Sequence, residues 1–293
     1  DYDGSTYVEL FYISSGTTLE TQKEKFNEAL NDFVNNATMY SSEYEREKYV
    51  NDYIISNCVY DDEAAYNNNT KGNVSTAYGV LVDGKAICEG YARAFQLLCN
   101  KLGIECVSIA GMTDDVGHEW NCAKIGGNWY QVDVTWNDSQ DDFSNYYYFN
   151  LTDEQMYSSH RADDLFDEIE PDNYNNDENL IGNLYVPECN STEYNYYNQT
   201  APILYAFDEE NDNTISNALA NSAVNGDNYF NIIVDDSLDF EDAYSTLVQD
   251  GYVVNYIESA NNMLWGEVEL DTSSYAYKND TLRVITIVLN YIN

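Results

Sequence analysis

Three residues whose types can together activate a thiol lie between Gly84 and Asp138. Cys88 follows a turn signal at Asp83-Gly84, His118 comes thirty residues later, and Asp133 fifteen after that. A thiol nucleophile needs a base within hydrogen-bond reach and a third group that orients the base. Cysteine, histidine and aspartate in this order supply those roles if the chain brings them together.

The elements that must do so can be read from spacing. After Cys88, Tyr91, Ala94, Phe95, Leu98 and Leu102 recur on one helical face, with Lys101 in the last turn and Gly103 as a stop. Cys88 therefore falls at the N-terminus of a buried helix, where unpaired N–H groups and the dipole favour a thiolate over a thiol. Cys99, Cys106 and Cys122 lie on apolar elements and read as ordinary buried cysteines, which is also the bland reading of Cys88. His118–Ile125 and Trp129–Thr135 alternate as strands around Gly126-Gly127, a hairpin turn. His118, Trp120, Cys122 and Lys124 then share a face. A two-residue loop pairs Ile125 with Asn128 and Trp120 with Asp133, making Asp133 the diagonal neighbour of His118. Diagonal neighbours are within reach of a histidine and a carboxylate. A four-residue loop keeps this arrangement, and an odd loop would put the two residues on opposite faces. Asp138 is the alternative acid.

The motifs C-E-G-Y-A-x-A-F at Cys88, G-I-E-C at Gly103, G-H-x-W-N at His118 and W-Y-x-V-D-x-T-W at Asp133 resemble the transglutaminase-like superfamily. The resemblance runs from about Glu43 to Asp138 and is nearest to its secreted bacterial branch. It implies Cys88 as nucleophile, His118 as general base and Asp133 as orienting acid. It also implies an α+β fold, a papain/transglutaminase-like core in which the cysteine helix packs on an antiparallel sheet. The Cys88 backbone N–H is a natural oxyanion donor, and no motif identifies a second. Trp120, Tyr78 and Trp136 are candidate substrate-binding residues.

Composition limits the alternatives. The chain has 293 residues, a net charge of −40 and only 12 lysines and arginines. That balance argues against nucleic acid and anionic lipid surfaces, which need basic patches. The acidity reads first as a solvated surface; attraction for lysine-rich substrates is the sharper alternative. No run of eighteen apolar residues is present, so no membrane span is expected. Six cysteines lack C-x-x-C spacing and there are two histidines, so no metal or cofactor is expected. The missing initiator methionine and the acidic Asn/Tyr-rich surface, with the resemblance, point to a processed bacterial protein, extracellular or at the cell surface.

Three units are expected: residues 1–170 as the catalytic domain with N-terminal helices, 171–200 as a boundary, and 201–293 as a small α/β accessory domain. In the first, a strand is expected at Tyr7–Ile13. Capping boxes at Thr17–Glu20 and Ser42–Glu45 open two helices, a polar loop spans Asp61–Asn73, and Ser75–Val82 forms a short helix or turn. Strands are expected at Ile104–Gly111 and Tyr146–Leu151. His160 reads as structural or surface rather than catalytic. In the last unit, strands are expected at Ile203–Phe207, Tyr229–Val234, Tyr252–Ile257 and Leu282–Tyr291, with helices at Thr214–Ser222 and Phe240–Gln249.

Two classes of function follow. One is a thiol-dependent enzyme acting on protein or peptide amides, with outcomes of crosslinking, deamidation or proteolysis. The other is an inert binding module of the same fold for peptides or cell-wall material.

Overall fold

The computed structural model describes residues 15–67, 72–114, 116–139, 141–162, 186–266 and 268–292. The strand expected at Tyr7–Ile13 and residues 171–185 of the expected boundary lie outside them. Two helices come first, Gly16–Ala37 and Glu43–Asn57. The second opens with the expected Ser42/Glu45 capping box. The first begins at Gly16 without a side-chain cap, so the Thr17–Glu20 box is not made. Asp61, expected in a loop, caps a one-turn helix at Asp62–Tyr66.

The cysteine helix, Cys88–Lys101, buries the predicted stripe of Tyr91, Ala94, Phe95 and Leu98. These side chains share one core with Phe33, Val50 and Ile54 of the N-terminal helices and with Ile125, Tyr130 and Val132 from the sheet. Gly90 explains how closely the helix start is seated. A Cβ there would meet the Val74 carbonyl at 2.5 Å and the Ala86 side chain at 2.8 Å. Any larger residue would lift the first turn, and Cys88 with it.

The sheet is antiparallel, in the order Asn128–Val132, Val116–Ile125, Cys106–Thr113, His160–Ala162. Its hairpin has the predicted two-residue turn and register, with Ile125 opposite Asn128 and Cys122 opposite Gln131. The outer strand ends at Val132, three residues earlier than expected. Asp133 instead caps a one-turn helix, Val134–Asn137, accepting from the Thr135 and Trp136 backbone N–H groups. A capping carboxylate competes with strand continuation because it satisfies these donors locally. Tyr146–Leu151 is a set of turns rather than a strand, touching the sheet through a single Leu151–Gln131 bridge.

The C-terminal residues build a second sheet in the order Ile203–Leu204, Tyr229–Val234, Val284–Val288, Ala276–Asn279. Helices Glu209–Asn225 and Val253–Leu264 pack against each other in the core of this unit. The second of these overturns the strand expected at Tyr252–Ile257. Val253, Tyr256, Ile257, Ala260 and Leu264 are its buried residues, a helical spacing that only a longer window reveals. The two units share a core. Leu282 and Val284 pack in one cluster with Trp120, Cys122, Cys189 and Tyr197.

Candidate active site

Cys88 is the first residue of its helix, with Ile87 as the extended N-cap. The histidine strand is tied to this helix from beneath, because the buried Asn121 side chain donates to the Ala92 carbonyl at 3.1 Å. The histidine strand thus packs on the cysteine helix, with His118 three residues before the tie. His118 Nε2–H donates to Asp133 Oδ2 at 2.7 Å. The hydrogen bond expected from the hairpin is therefore present, although Asp133 reaches it from a helix cap rather than from the strand.

Asp133 has no solvent exposure. Burial alone would raise its carboxyl pKa, but His118 and then His160 outweigh it and hold the group at about 2. Its Oδ1 accepts two backbone N–H groups, from Thr135 at 2.9 Å and Trp136 at 3.2 Å. Its own N–H donates to the Tyr148 carbonyl. Beneath it Asn137 donates to Asn51 of the second helix at 2.9 Å and accepts from the Tyr148 N–H. For His118, burial alone would lower the imidazole. The neighbouring Asp133 carboxylate, helped by Cys88, overrides it and pushes the group up to about 10.

His160 was read from the sequence as structural or surface. It is buried, and its Nε2–H donates to the same Asp133 oxygen at 3.0 Å. Its position was not legible because it arrives on the far edge strand, paired through Thr113 rather than by any local motif. The ligand atoms of His118, Asp133 and His160 lie within 4.8 Å of one another. At 2.7 and 3.0 Å, however, the contacts are hydrogen-bond lengths, with ring protons occupying the space an ion would need.

The three candidate substrate-binding aromatics separate. Trp136 lines a groove of about 830 Å³ together with His118, Tyr60, Val116, Thr135 and Asp138. Trp120 is not available to a substrate. It is 1% exposed, donates to Gln131 at 2.7 Å, and stacks beneath His118 with ring centroids 6.2 Å apart. Tyr78 sits elsewhere, stacked on Phe26 of the first helix and lining a separate hollow with it. Asp138, the alternative acid, accepts from the Tyr91 hydroxyl instead. Tyr60 was not singled out from the sequence. It pairs with Ala86, two residues before Cys88, and lines the same groove as His118. Asp62, Asp114 and Asp138 make the groove acidic, and no lysine or arginine lines it among the described residues.

The chain is similar to kyphoscoliosis peptidase of Mus musculus, 29% identical over 175 residues, covering 56% of this chain and 26% of that protein. For kyphoscoliosis peptidase of Homo sapiens the figures are 26% over 167 residues, 53% and 24%. The chain thus spans about a quarter of the length of these relatives. A crystal structure of a TGase aligns with 44% of this chain and 35% of its own, at 19% identity and a TM-score of 0.36. Residues 31–134 match the transglutaminase-like superfamily. Helix, hairpin and motif order agree with that match, and this segment, similar to the transglutaminase-like superfamily, folds as a mixed helix-and-sheet core.

Proposed function

We propose that the chain is a thiol-dependent acyltransferase or hydrolase acting on protein or peptide amides through Cys88, His118 and Asp133. The observation that carries this reading is the His118 imidazole, bonded to a buried carboxylate and carried on a strand that packs against the helix beginning at Cys88. In this reading the Cys88 sulfur adds to the amide carbonyl carbon. The developing oxyanion is met by the Cys88 N–H. His118 passes the thiol proton to the departing amine, the C–N bond breaks, and a thioester remains. Water then gives hydrolysis, and a second amine gives transfer. The acidic groove favours substrates carrying lysine or arginine near the reacting amide.

The test is a peptide and casein-type substrate screen with wild type and Cys88→Ala, joined to iodoacetamide labelling of Cys88. Turnover is expected in the wild type only, with labelling persisting to about pH 6 and slowed by His118→Ala. Equal turnover by both proteins, or labelling indifferent to His118→Ala, would sink the reading and put the inert binding module ahead.

A further inference from the structure

The chain has two histidines, and both donate to one oxygen of one carboxylate. They are held very differently. His118 uses one ring nitrogen on Asp133 and lines the groove. His160 has both nitrogens engaged, Nε2 on Asp133 at 3.0 Å and Nδ1 on Ser159 Oγ at 2.9 Å. Its ring is enclosed by Trp136, Trp120 and Tyr148, with centroids 4.6, 5.1 and 5.6 Å away. Its side chain has no solvent exposure.

Building on the thiol–imidazole reading above, we infer that His160 is a positioning residue that locks Asp133 Oδ2 for His118. During turnover His118 must shift its hydrogen bonds as a proton moves between sulfur and amine. Asp133 Oδ1 is anchored by the helix cap, but Oδ2 would otherwise depend on His118 alone. His160 supplies a second donor that does not move, because its ring is packed on all sides and its other nitrogen is occupied. The Asp133 carboxylate can only accept, so Nε2 carries the proton, while Nδ1 is held 2.9 Å from the Ser159 hydroxyl. An oxygen already accepting from His160 is also a poorer proton acceptor. The transferable proton therefore stays on His118 rather than passing to the acid. His160 itself transfers nothing.

The test separates donor from packing. His160→Phe keeps a ring among the tryptophans and removes the N–H; His160→Gln removes the ring and keeps an N–H at nearly the same reach. Cys88 alkylation at about pH 6 is expected to fall roughly tenfold to a hundredfold in His160→Phe, the worth of a hydrogen bond to a charged group. It is expected to recover in His160→Gln. Recovery in Phe but not in Gln means packing and overturns the inference. So does a His160→Phe profile equal to wild type, provided His118→Ala slows the wild-type reaction. If His118→Ala has no effect, the triad itself falls and this role falls with it. The unsubstituted protein supplies an independent arm, since imidazole ¹⁵N spectra contain two residues only. Two hydrogen-bonded Nε2 protons are expected, and a His160 protonated at Nδ1 instead would overturn the assignment.

Discussion

The Asp133 carboxylate accepts four hydrogen bonds, two from its own helix cap and two from imidazoles. That arrangement sets the sign of the pH behaviour. With the carboxyl held at about 2, its contribution to stability is in place above about pH 3.9 and is lost as the pH falls through 2. With His118 raised to about 10, its contribution is in place below about pH 6.5 and is lost as the pH rises through 10. Asp133→Asn removes the charge that opposes burial. The His118 pKa is then expected to drop from about 10 to below its ordinary value, read by an NMR titration of its ring protons. Turnover should fall by about 10³–10⁴-fold, as when the orienting carboxylate of a related triad becomes an amide. A His118 titration unchanged by the substitution would refute the coupling.

At the scale of elements, the edge strand His160–Ala162 is held in place by the absence of a side chain. A Cβ at Gly111 would meet the Arg161 carbonyl at 2.2 Å and the Trp120 ring at 2.6 Å. Gly111→Ala is therefore expected to cost about 1–3 kcal/mol through overpacking and to loosen His160. Gly117→Ala, with nothing within 4 Å of its Cβ, should be close to neutral. Denaturant midpoints of the two variants compare them, and equal midpoints would contradict the packing argument. The same strand shows where sequence reading ends. The cysteine helix and the histidine hairpin were legible because their signals are local: helical spacing in one, a Gly-Gly turn and alternation in the other. That register brings Asp133 to the side of His118, and the helix cap that completes the contact was not legible. His160 joins by pairing with residues some fifty positions earlier, so no window contains both partners. Tyr60 joins the groove through its strand pairing with Ala86 and carries no motif. The helix Val253–Leu264 was misread for a different reason: five of its residues, taken alone, fit either period.

Across the whole molecule, the large acidic excess is carried mostly at the surface, but Glu47 is fully buried. One of its oxygens accepts from Asn150 at 2.7 Å and the other has no hydrogen-bond partner among the described residues. Burial, only partly offset by Asn150, raises this carboxyl to about 8. The folded chain therefore keeps the proton that the unfolded chain releases above about pH 4.3, and stability declines from there to about pH 8. Glu47→Gln mimics the protonated acid. It is expected to match wild type near pH 4 and to be more stable by roughly 1–3 kcal/mol near pH 8, measured by thermal unfolding at both. An equal gap at the two values would rule this out.

All six cysteines are free thiols; five are buried, and Cys88 alone is partly exposed. A small electrophile therefore meets one sulfur on a folded molecule and six on an unfolded one. The stoichiometry of modification becomes a census. Adducts per chain, weighed intact, count folded copies at the same moment as they count competent sites. Titrating the nucleophile and assaying the fold become one experiment, run without denaturant and then with it.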